Sequence, residues 1–111
     1  MNDRRQTLRY TTEQDLEAYD AHSARFLGRF VDISEDGFLL FCPHAIDVDS
    51  VWQIRVLAAN DPRLRSLLTF GAECLWVRPA DESNHYWAGF HIIDISAEDT
   101  ESLLSLFASP E

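Results

Sequence analysis

The stretch Val31–Leu40 reads VDISEDGFLL. Two apolar runs meet here across a short acidic turn. Residues two apart in a strand point to the same face. Asp32 and Ser34 are therefore expected side by side, with Val31 and Ile33 pointing the other way into a core. Gly37 closes the turn, where a positive φ costs glycine nothing, and Phe38, Leu39 and Leu40 open the next strand. The layout is a hairpin with a polar pair at its tip. Asp, Ser and Gly are also ordinary turn residues, because they mimic backbone hydrogen bonds or relieve steric limits. The motif therefore carries function only in company.

Outward from the hairpin, the same alternation recurs. Upstream, Gln14–Tyr19 reads as a first short strand, Ala21–Ala24 as a turn and Arg25–Ile33 as a second strand. In that strand Leu27, Val31 and Ile33 face one way, with Phe26, Gly28, Phe30 and Asp32 opposite. The third strand, Phe38–Cys42, ends at Pro43, which cannot donate to a ladder. Val51–Ala58 gives a fourth strand, and Asn60-Asp61-Pro62 breaks it. Arg63–Ser66 bridges to a fifth strand, Leu68–Val77, and the polar segment Pro79–Asn84 leads to a sixth, Tyr86–Asp94. Short strands at this spacing predict a small barrel or sandwich. The period then changes: Ser96 is a good N-cap with Asp99 three residues on, and Leu103, Leu104, Leu106 and Phe107 supply an apolar stripe for a C-terminal helix packed on the barrel.

A chain of 111 residues has room for one domain. No apolar run reaches the length of a membrane span, and the charged start MNDRRQTLRY is not a secretory signal, so a cytoplasmic protein is expected. Cys42 and Cys74 both fall in strands and read as buried free thiols. The net charge is −10, which argues against general nucleic-acid binding and against an anionic membrane surface. The charge is unevenly spread. Arg4, Arg5 and Arg9 against Asp3 give residues 1–9 a charge of +2, leaving −12 on the rest. A small basic arm on an acidic body is a local anion site or an ordinary solvated terminus.

Arginine is a planar fork of fixed donors. It pairs bidentately with phosphate oxygens and with the O6/N7 edge of guanine, and it stacks on nucleobases. Arg5 and Arg9, four positions apart with Arg4 just before, could grip a compact ligand carrying both phosphates and guanines. With Arg4-Arg5-x-x-x-Arg9 followed by Asp32-x-Ser34-x-x-Gly37, the chain resembles the PilZ domain family of bacterial cyclic di-GMP receptors. The late Tyr86-Trp87-Ala88-Gly89-Phe90 run is similar to the family's glycine-containing last strand.

The resemblance implies a mainly β fold: a six-stranded antiparallel β-barrel, residues 13–111, with a flexible N-terminal arm, residues 1–12, and a C-terminal α-helix. It implies that Arg5 and Arg9 hold the phosphates and guanine Hoogsteen edges of cyclic di-GMP and that Arg4 adds a stacking or ionic contact. Asp32 and Ser34 would meet guanine or ribose, and Gly37 would allow close approach. An arginine before the RxxxR signature leans toward a stacked pair of ligands. Binding would order the arm against the barrel and change the surface offered to a separate effector protein, with motility, exopolysaccharide, biofilm or virulence as outputs. The alternative is a PilZ-like protein-interaction module that does not bind nucleotide.

Trp76 stands beside the expected site and is either a base-stacking residue or simply core or barrel wall; Trp52 and Trp87 read as structural. His22, His44, His85 and His91, with Cys42-x-His44 the nearest pair, do not make the four-ligand spacing of a zinc site, so no metal and no cofactor are expected. No catalytic triad, Gly-rich phosphate loop or paired catalytic carboxylate is evident, and no enzyme is expected.

Overall fold

The computed structural model describes residues 10–11, 15–34, 36–59, 66–81 and 84–105. Its strands are β1 (Tyr10–Thr11), β2 (Leu16–Asp20), β3 (Phe26–Ile33), β4 (Gly37–Cys42), β5 (Val51–Ala58), β6 (Ser66–Pro79) and β7 (Tyr86–Asp94), followed by one helix, α1 (Ala97–Ser105). Neighbours pair in the order β3-β2-β5-β6-β7-β4, and β4 pairs back onto β3. Six antiparallel strands thus close into a barrel, which leaves no open edge among them. β1 is an additional two-residue pairing on β3, Tyr10 opposite Ile33 and Thr11 opposite Asp32. It falls within the stretch that the sequence reads as an aperiodic arm, because two residues are too few to show a period.

The interior is apolar and knit by aromatic rings. Phe38 stacks on Phe90 with centroids 4.9 Å apart, tilts against Phe30 at 5.1 Å and meets Phe70 edge-on at 5.6 Å. Leu16, Leu27, Ile33, Leu40, Ile54 and Val56 complete it. β4 alternates cleanly: Phe38, Leu40 and Cys42 are buried while Gly37, Leu39 and Phe41 are half-buried. The polar connection Ala80–His85 closes with the Ala80 amide donating to the His85 carbonyl, and Asn84 adopts φ 58° there.

β3 departs from the alternation expected of it. It buries Leu27, Gly28, Phe30 and Ile33 and leaves Val31 and Asp32 half-buried. The cause is two irregularities: opposite β2, Tyr19 pairs with Phe26 but Ala18 with Gly28, so Leu27 is an extra residue, and opposite β4, Phe30 pairs with Leu40 but Asp32 with Leu39, so Val31 is another. A bulge of this kind switches the inward parity of a strand. Phe30 therefore faces the core, where simple alternation placed it outside, and Val31 does not. β6 also extends beyond the expected Leu68–Val77 at both ends and carries a bulge of its own.

At the C-terminus Ser96 caps α1, its Oγ accepting the Asp99 amide at 3.0 Å and its carbonyl the Thr100 amide at 2.9 Å. Glu98 and Asp99 sit in the positive first turn. Leu103, 1% exposed, buries the helix against the barrel, α1 contacting β6. Leu106 and Phe107 of the expected stripe lie outside the described residues. No helix among the described residues is long and apolar enough to cross a membrane.

Candidate functional site

The hairpin between β3 and β4 is built by its own polar groups. The Ser34 amide donates to the Gly37 carbonyl at 2.8 Å. The Ser34 hydroxyl has two acceptors in reach, Asp36 Oδ1 at 3.1 Å and the Gly37 carbonyl at 3.3 Å. The amide of Ile92 donates to the Asp36 carbonyl at 2.9 Å, tying the tip of the hairpin to β7. Ser34 is only 3% exposed. Asp32 is half-buried on the strand, and the Ser34 hydroxyl, although beside it, has its acceptors within its own turn.

Gly37 also has a different reason to be glycine than the one expected. No glycine among the described residues has a positive φ. A Cβ at Gly37 would instead come within 2.5 Å of the Phe90 carbonyl oxygen. The residue lets β4 and β7 approach closely, directly beneath the turn.

Beside the hairpin lies a cleft of about 370 Å³, in the size range of small-molecule sites. Asp32, Ser34, Asp36, Gly37 and Leu39 line one side; Leu75, Trp76, Gly89 and His91 line the other. The second side exists because of the bulge in β6. Cys74 pairs with Phe90 and Trp76 with Gly89, so Leu75 is extra. Continued alternation from buried Ala72 and Cys74 would carry Trp76 inside; the bulge turns it out, 38% exposed. Its indole lies on Gly89, occupying the space that a Cβ there would need. The Arg78 guanidinium sits over the ring at 4.9 Å, a cation–π contact that fixes the wall.

Of the residues singled out in the sequence, the structure brings Asp32, Ser34, Gly37 and Trp76 to this one cleft. Arg4, Arg5 and Arg9 lie outside the described residues. What is described is the chain that follows them: β1 begins at Tyr10 and is paired to β3 beside Asp32. Asp36, Leu75 and His91 were not picked out by sequence reasoning as parts of a site. Their placement depends on the turn-to-β7 tie and on the β6 bulge, neither of which has a sequence signal here.

Away from the cleft, Cys42 and Cys74 are buried free thiols inside the barrel. Burial pushes Cys42 up to about 12, with Cys74 adding to it, and pushes Cys74 up to about 11. Neither is a nucleophile at neutral pH. Among the described residues no group of three or more His, Cys, Asp and Glu side chains is placed to hold a metal ion. Trp52 is half-buried and donates through Nε1 to Ser50 Oγ at 2.6 Å, and Trp87 packs on Phe41.

The PilZ domain family matches residues 3–109. No curated protein matches the chain in sequence. Among the solved structures that share the fold are the following two. One is the Bacillus subtilis inhibitor of motility, MotI/DgrA, with TM-score 0.68 and 15% identity over 94% of this chain. This chain spans only 49% of that one. The other is the PilZ domain of YcgR from Escherichia coli, solved with c-di-GMP, with TM-score 0.64 and 12% identity over 93% of this chain and 90% of that one.

Proposed function

The chain belongs to the PilZ domain family, and from that premise we propose that it is a cytoplasmic receptor for cyclic di-GMP that acts as an adaptor rather than an enzyme. The observation that carries this reading is the convergence of Asp32, Ser34, Gly37 and Trp76 on one cleft beside the β1 pairing that follows Arg9. That the E. coli YcgR domain is solved with this ligand is a second support.

In this reading residues 1–12 form the arm, whose end is already held on β3 by the Tyr10–Thr11 pairing. Arg5 and Arg9 meet the phosphates and the Hoogsteen edges of guanine as bidentate forks. Arg4 adds a stacking or ionic contact and favours a stacked pair of ligands. Asp32 accepts from guanine or ribose, and Trp76 offers an aromatic wall. Ser34 acts through the turn that it holds. Ligand binding closes the arm over the cleft and changes the surface offered to an effector protein, with motility, exopolysaccharide, biofilm or virulence as outputs.

Titration of Arg5→Ala and Arg9→Ala with cyclic di-GMP tests the mechanism. Each is expected to weaken binding by at least about tenfold, the loss of one charge-assisted pair, with unchanged thermal unfolding. Binding equal to wild type in both variants would overturn it. Folded wild-type protein that binds no nucleotide would leave the interaction module as the reading.

A further inference from the structure

Acids line the hairpin side of the cleft. Asp32 on β3 and Asp36 in the turn both line it, and Glu73 on β6 stands across the ladder from its far side. Among the described residues that line the cleft, one side chain can become positive: His91. It lies exposed on β7 between Gly37 of β4 and Glu73 of β6. Gly37 has no side chain to cover the imidazole. The next residue, Ile92, is tied by its amide to the Asp36 carbonyl, which fixes His91 relative to the hairpin tip. Arg78 is engaged over Trp76. Among the described residues that line the cleft, a phosphate would meet carboxylates at Asp32 and Asp36 and a side chain able to carry positive charge only at His91, beside the contacts proposed for Arg5 and Arg9.

We propose that His91 is a further ligand contact, cationic when it meets the phosphate of a bound cyclic dinucleotide, so that the affinity of this cleft rises as pH falls through neutrality. This rests on the receptor reading above. Histidine is the side chain whose charge ordinarily changes in that range, whereas carboxyl groups ordinarily titrate well below it. By linkage, a ligand that prefers the charged imidazole draws a proton onto it, so binding takes up protons. One charge a few ångströms from a phosphate in a solvated cleft changes affinity by roughly threefold to tenfold.

The test is titration with cyclic di-GMP between about pH 8 and about pH 6, the histidine window, at fixed ionic strength and in two buffers of different ionisation enthalpy. Wild type, His91→Gln and His91→Lys are compared. His22→Gln, at an exposed turn residue outside the cleft, is the control. Wild type and the control are expected to bind more tightly as pH falls and to take up protons. His91→Gln should lose both effects, and His91→Lys should bind tightly with no slope. Equal slopes and proton uptake in wild type and His91→Gln would overturn the inference and leave the receptor reading standing. Absence of binding by folded wild type at every pH would overturn both.

Discussion

In β4 the chain alternates without a break, Phe38, Leu40 and Cys42 inward and Leu39 and Phe41 outward, whereas in β6 the alternation stops at Cys74 and both Leu75 and Trp76 face out. The regular strand supplies the core and the bulged one supplies the wall of the cleft. The bulge at Val31 in β3 does the complementary work, turning Phe30 and Ile33 both inward and leaving Asp32 at the cleft. Interior packing follows from period-two patterning. The site is made where that period is interrupted, a common use of bulges.

The contrast can be broken most sharply from inside. Phe38→Ala removes the ring that touches Phe30, Phe70 and Phe90. It is expected to cost about 3–5 kcal/mol, read from the urea midpoint. A loss below about 1 kcal/mol would mean that Phe38 does not knit the core.

The interior also responds to alkali where the wall should not. Cys42 and Cys74 are raised in the fold, by burial, to about 12 and about 11 from an ordinary 9.0. Above the ordinary value the unfolded chain loses protons that the fold retains, so stability is intact below that pH and falls as pH rises toward the folded values. The slope is at most about 1.4 kcal/mol per pH unit for each thiol. Denaturation across this range should show the decline, and Cys42→Ala with Cys74→Ala should flatten it. An unchanged slope would place its origin elsewhere.

Gly37 and Gly89 sharpen the comparison at the boundary. A Cβ at Gly37 meets backbone, the Phe90 carbonyl, while one at Gly89 meets the Trp76 side chain. Gly37→Ala is expected to cost about 1–3 kcal/mol. Gly89→Ala should cost less and show instead as a change in tryptophan fluorescence, because an indole can swing where a strand cannot. Trp76→Ala should have the smallest effect on stability, within about 0.5 kcal/mol, yet weaken ligand binding by at least about fivefold through the lost stacking surface. A large loss of stability with unchanged binding would make Trp76 a structural residue.

The six barrel strands, the capped helix and the buried thiols were legible because each rests on a local rule: alternation, a proline stop at Pro43, Ser96 as a cap. The hairpin was legible in position but not in detail. The sequence Asp32-x-Ser34-x-x-Gly37 says that a turn is there. It does not say that the Ser34 hydroxyl is consumed by the turn, or that Gly37 is required by the approach of Phe90 from a strand more than 50 residues away. The outward turn of Trp76 was hidden for the same reason, since a bulge is a property of the pairing between two strands and not of either alone.

The most direct test of the receptor account is isothermal titration of the wild-type chain with cyclic di-GMP at moderate salt, with GTP and cyclic AMP as controls. The account predicts saturable heat with cyclic di-GMP alone, its stoichiometry distinguishing one bound ligand from a stacked pair. No heat from protein shown to be folded, or equal response to GTP, would contradict it.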